Sequence, residues 1–240
     1  MRRHSELKLF LGAYVLYNAG RWVTAGELGP ATENARWIVR TEQSLGVAVE
    51  RSVQEALQGS VSMWLLSHIY LAAQLVVLPG VLVYLHRRAP AVYRRLRDTV
   101  LATWLIAIPV YAAFPVAPPR LAGLGFTDVV SAHGAVSLTG RSSVFYNELA
   151  AVPSLHCGFA VAVGLAVAAA VRRPAAKVLW LLWGPLVCLT VVATANHYVF
   201  DIAAGLAAAL AGHGVGVVVR RARERGPLAG EMLVLRPESA

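Results

Sequence analysis

Long apolar runs alternate along the chain with short polar and basic segments. Six runs read as membrane-spanning helices, at about 8–23, 60–85, 99–117, 152–171, 178–196 and 199–219. Crossing about 30 Å of hydrocarbon takes roughly 20 apolar residues. The first run, "KLFLGAYVLYNAGRWV", is the shortest, and a re-entrant or interfacial placement stays open for it. No small-residue cleavage site follows it, so it is read as retained. No internal repeat or low-complexity tract divides the chain, and residues 1–240 are read as a single membrane-embedded domain.

One stretch has a different rhythm. In residues 31–57, Ile38, Leu45, Val49, Val53 and Leu57 recur at helical spacing, while Glu33, Arg40, Glu42, Glu50 and Arg51 occupy much of the rest. This pattern predicts an amphipathic helix on the membrane surface or across the end of the bundle. A solvated connecting helix fits the same pattern. The predicted fold is therefore all-α: a polytopic six-transmembrane-helix bundle with an interfacial helix after the first span.

Composition strengthens this reading. The chain is 57% hydrophobic, with a mean hydropathy of +0.57. A net charge of +9 raises nucleic acid as a partner, but the placement of the charges explains it better. With six alternating spans, sixteen of the 22 basic residues fall on one side: Arg2, Arg3, Lys8, Arg87, Arg88, Arg94, Arg95, Arg97, Arg172, Arg173, Lys177, Arg220, Arg221, Arg223, Arg225 and Arg236. The positive-inside rule makes that side cytoplasmic. Both termini are then expected in the cytoplasm of a cell (plasma) membrane protein, with no nucleic-acid partner. Cys157 and Cys188 lack metal-ligand spacing and read as small core residues.

This topology brings distant polar residues to one depth. His156 lies at the outer start of the fourth span, His197 at the outer end of the fifth and Asp201 at the start of the sixth; Arg120 and Arg21 end spans three and one on that side. Ionisable groups next to hydrocarbon are costly and mark functional sites by default. In "NHYVFD" (196–201), His197 and Asp201 are four apart. On a helix they would share a face; in a tight turn they could still meet. A carboxylate there would fix the imidazole tautomer. In "PSLH" (153–156), Pro153 suits a first helical turn and Ser154 an N-terminal one. Such an end favours an anion, and Gly158 would let a backbone or a ligand come close. In "FPVAPPRLAG" (114–123), the prolines give Arg120 a fixed direction, towards a phosphate or towards lipid headgroups. Arg141 and Arg21 are further candidate clamps. His68 and Gln74, in the second span, fit the site less cleanly; His68 reads as a core histidine or a lining residue.

Together these residues resemble the type 2 phosphatidic acid phosphatase superfamily of histidine-dependent phosphatases and transferases. Its PSxH signature is met by Pro153-Ser154-Leu155-His156, and its HxxxD ending by His197 and Asp201. "PVAPPR", Asn147 with "AAVPSLH", and "TANHYVFD" look like the branch that contains inositol phosphorylceramide synthase. Two features depart from the superfamily: KxxxxxxRP is absent, and Thr190-Val191 stands where many members have Ser-Arg.

The resemblance implies a phosphoryl-transfer enzyme without metal or other cofactor, acting on a lipid phosphate ester or pyrophosphate at the extracytoplasmic face. His197 would be the nucleophile, Asp201 its orienting partner and His156 the acid–base group. Arg120, Ser154, Asn147, Arg141, Arg21 and Tyr198 would hold phosphate and substrate, with bilayer lipids as the surroundings. A transferase moving a phosphoinositol-type headgroup to a lipid alcohol uses the same residues. A small-solute transporter would need polar groups strung through the bilayer, whereas these gather at one end.

Overall fold

The computed structural model describes residues 27–129 and 149–234, with Gly12 and Val15 as isolated positions and side chains as far as Arg223. The remainder of the first predicted span lies outside the described residues, as do Arg21, Arg141 and Asn147. Among the described residues, seven helices follow in order: α1 Leu28–Ser44, α2 Glu50–Ala56, α3 Ser60–Arg88, α4 Pro90–Ala113, α5 Leu155–Ala170, α6 Pro174–Ala193 and α7 Val199–Val234. No strand is present among the described residues; one isolated bridge joins Val116 to Ala150. The all-α expectation holds to that extent.

Four of these helices are long and apolar enough to cross a membrane: α3, α4, α6 and α7 as far as Arg223. The predicted fourth span, 152–171, forms the shorter apolar α5, with 16 residues. At 1.5 Å rise per residue it reaches about 24 Å. Helix α4 begins well before the predicted start at Thr99, because Pro90 opens a first turn that the basic residues then continue. Residues Ala73–Val77 of α3 are π-helical. Pro79, just beyond, has no N–H to bond back into that turn, and the wider turn absorbs the mismatch.

The predicted single amphipathic helix over 31–57 is two helices. Leu45 and Gly46 donate to the carbonyls of Thr41 and Gln43, and Gly46 takes φ +69°, where a side chain would be strained. The polarity pattern also departs from the expectation. Leu45 and Val49 are exposed, whereas Glu42 and Glu50 are buried, at 2% and 4% exposure. Ile38 is buried as expected, in a cluster with Ala31, Ala35, Val116, Ala117, Val152 and Tyr198.

The main core lies among α3, α4 and α5, where Leu82, Leu85, Val100, Ala107, Phe159 and Val163 pack together. Helix α5 meets α7 at a glycine contact. A Cβ on Gly158 would sit 2.7 Å from the Gly205 carbonyl oxygen, and one on Gly205 would collide with the Ser154 carbonyl. Small residues let membrane helices approach this closely. At one end of the bundle, Asp98 pairs with Arg97 and, at 3.1 Å, with Arg220. At the other end, the starts of α5 and α7 meet, with α1 and α2 packed nearby.

Candidate active site

The site is built where α5 begins, α6 ends and α7 begins. Ser154 caps α5, its hydroxyl accepting from the Cys157 N–H at 3.4 Å. Pro153 precedes the cap and is not in the first turn, as the sequence had suggested. His156 then falls on the first turn of α5. The Ser154 N–H donates to the Asp201 carbonyl at 3.0 Å, which ties the start of α5 to the first turn of α7. The glycine contact one turn further in makes this junction possible: Gly158 admits the α7 backbone, not a ligand.

Helix α6 ends in a turn at 194–198. Ala195 takes φ 54°, and the N–H groups of Asn196 and His197 both donate to the Val191 carbonyl. His197 therefore lies in the turn before α7, not on a helix with Asp201. The two still meet, with His197 Nδ1 3.2 Å from Asp201 Oδ2. The same oxygen accepts the Tyr198 N–H at 2.9 Å, so Asp201 reaches back to cap its own helix while it holds the imidazole. An Nδ1–H donated to the carboxylate leaves the lone pair on Nε2. Asp201 is fully buried and His197 is 5% exposed.

The two histidines, 41 residues apart, converge. Their ring centroids are 5.9 Å apart at an interplanar angle of 53°. His156 also stacks on Tyr70 of α3, at 4.2 Å and 20°. Nothing in the sequence singled out Tyr70, one of several aromatics in an apolar run.

Arg120 joins the site through the turn. Its N–H donates to the Ala195 carbonyl at 3.0 Å, its Nε to Asn196 Oδ1 at 3.0 Å and its Nη1 to Asp128 at 3.3 Å. Asn196 is fixed in turn by the Thr194 hydroxyl and carbonyl. The guanidinium is thus held one residue from His197, and its Nη2 has no protein partner among the described residues. Asn196 was missed in the sequence, although its position beside His197 was a usable signal.

Other candidates fall differently. Tyr198 is fully buried and donates its hydroxyl to the Ala117 carbonyl at 3.2 Å, so it anchors the chain after α4 and offers no surface to a ligand. Burial and the carboxylates of Asp201, Glu42 and Glu50 push its phenol above the usual tyrosine range. Ser154 is also fully buried, with its oxygen engaged in the cap. His68 bonds the Trp64 carbonyl of its own helix at 2.7 Å and packs on the Trp64 ring, away from this cluster. Among the described residues, no group of three or more His, Cys, Asp or Glu side chains gathers as a metal site would.

Comparison with curated proteins and with solved structures returns no significant match. Residues 36–215 match the PAP2 superfamily. That range runs from α1 into α7 and contains His156, His197 and Asp201, so this helical membrane protein belongs to the PAP2 superfamily, whose members are generally phosphatases and phosphotransferases.

Proposed function

We propose that the protein transfers phosphoryl groups from a lipid phosphate ester or pyrophosphate, through a phosphohistidine on His197. The observation that carries this reading is the convergence of His156 on the His197–Asp201 couple. Asp201 accepts Nδ1–H, so Nε2 attacks phosphorus as the bond to the leaving lipid oxygen breaks. His156 delivers a proton to that oxygen. It then takes one from water, whose oxygen displaces His197 and releases phosphate. Splitting one displacement into two lowers each barrier, and acid–base help of this kind is typically worth about 100- to 10,000-fold. The remaining need is to hold and neutralise the phosphate oxygens. Arg120 and the Leu155 and His156 amides at the start of α5, which helix geometry leaves without an intrahelical acceptor, serve that need in place of the absent lysine–arginine signature.

The site belongs at headgroup depth on the extracytoplasmic face, in a bundle of six spans with both termini in the cytoplasm. A lipid then enters sideways with its tails still in hydrocarbon. Transfer of a phosphoinositol-type headgroup to a lipid alcohol is the second reading. It is favoured by "PVAPPR", whose arginine is bonded into the His197 turn. In that case the alcohol replaces water in the second step.

Purified protein offered lipid phosphates, pyrophosphates and phosphoinositol donors should release inorganic phosphate without an added acceptor if water resolves the intermediate. His197→Ala and Asp201→Asn should lose turnover while remaining extractable in folded form, and acid-labile phosphate should be trapped on His197. Full turnover by His197→Ala would reject the nucleophile assignment.

A further inference from the structure

Three carboxylates converge on the first turn of α7. The Tyr198 N–H donates to Asp201 Oδ2, the Val199 N–H to Glu50 Oε1 at 2.8 Å and the Phe200 N–H to Glu42 Oε1 at 2.7 Å. The first amides of a helix have no partner inside it, and carboxylates there gain from charge-assisted bonds and the helix dipole. One acid normally suffices to cap a helix. Here two more come from α1 and α2, 158 and 149 residues away in the chain, and both are buried.

Resting on the phosphoryl-transfer reading above, we propose that Glu42 and Glu50 form a carboxyl pair that clamps the start of α7 and thereby holds Asp201, and through it His197, in reacting position. They are positioning residues: both bond the α7 backbone, and neither side chain bonds the imidazole.

The chemistry of the pair supports this. Glu42 Oε2 is buried and has no hydrogen-bond partner in the structure, and the Glu50 carboxyl accepts from the neighbouring amide of the same turn. A buried carboxyl with another acid close by is harder to ionise than one in water. Burial, followed by Glu50, pushes Glu42 up to about 8 against the pull of the Phe200 amide. The titratable groups facing Glu42 are Glu50 from α2, Asp201 from α7 and Tyr198 from the turn. All of these become anionic when they ionise. A proton lost from Glu42 therefore adds a buried negative charge beside other acids under α7. The clamp should loosen as pH rises through about 8.

The test uses the full-length protein in detergent, as wild type, Glu42→Ala, Glu42→Gln, Glu50→Ala and His197→Ala. Hydrogen exchange at the Val199 and Phe200 amides should be slow in wild type and Glu42→Gln, whose amide keeps both an acceptor and a donor. It should be faster in the two alanine variants. Equal exchange in all of them would overturn the clamp. On the best substrate of the lipid phosphate panel, Glu42→Ala should lower kcat roughly 10- to 100-fold with KM little changed, in line with a small displacement of a reacting group. Glu42→Gln should restore kcat and abolish the fall in rate above pH 8. Wild-type kcat in Glu42→Ala, or an alkaline limb unchanged in Glu42→Gln, would also overturn the proposal. If Glu42→Ala does not fold, Glu42→Asp, one methylene shorter, gives the same readings. His197→Ala separates the two claims: full activity there rejects the nucleophile, while the exchange data still decide the clamp.

Discussion

His197 depends on bonds made by the residues on either side of it. Asn196 accepts from Arg120 Nε and donates to Thr194, so a single amide links the cation to the turn that carries the imidazole. A hydrogen bond to a charged group is worth about 1.5–3 kcal/mol, or roughly a 10- to 150-fold factor. Asn196→Ala should therefore lower kcat/KM on a lipid phosphate by about that factor, whereas Asn196→Asp, which keeps the acceptor, should lose less. Steady-state kinetics of the two variants checks this. The sequence marked His156, His197 and Asp201 because ionisable groups are conspicuous among alanines and valines. Asn196 and Tyr70 drew no notice, since an amide in a turn and an aromatic in a span are unremarkable until their neighbours are known.

At the scale of elements, the junction of α5 with α7 depends on the absence of side chains. Gly205→Ala would drive a methyl group into the Ser154 carbonyl. Overpacking of this kind typically costs about 1–3 kcal/mol, or roughly 2–12 °C in Tm for a chain of this size. Gly214→Ala on the same helix meets nothing within 4 Å and should leave Tm nearly unchanged. Thermal unfolding of both variants in detergent is the measurement. The amphipathic segment offers a second test. Glu42 holds its proton in the folded protein up to about pH 8 but has an ordinary value of 4.5 in the unfolded chain. The folded state thus binds the extra proton between these values, and its contribution to stability, complete below pH 4.5, is lost as pH rises through about 8. Glu42→Gln should flatten stability against pH across that window. Helical spacing had put Glu42 and Glu50 on a polar face. Glu42 lies four residues after the buried Ile38 and shares its face of α1, while the break at Gly46 ends that helix before Glu50, so one polar face drawn through the whole segment was wrong for both acids.

For the whole molecule, the short links at Ala89 and at 171–173 alternate the helices in direction. Arg87, Arg88, Arg172 and Arg173 thereby gather at the end where Asp98 meets Arg220, opposite the histidines. If that end is cytoplasmic, as the positive-inside rule requires, a cysteine placed at the exposed Val49 should react with an impermeant thiol reagent in intact cells. One at the exposed Arg173 should react only after permeabilisation. The unsubstituted protein, with Cys157 buried and Cys188 partly so, is the control, and the reverse labelling pattern would invert the topology.

The sequence by itself determined that the chain is helical and apolar enough for a membrane, and it singled out three ionisable residues as candidates for its chemistry. Hydrophobic runs and ionisable residues within them are local properties, written in a single stretch of chain. Only the tertiary structure decided that His197 reaches Asp201 from a turn, that Tyr70 stacks on His156, that Tyr198 is sealed inside, and that two glutamates from the amphipathic segment underlie α7. Each of these is a contact between elements, set by where helices end and how closely glycines let them approach, and no periodicity within one segment encodes it.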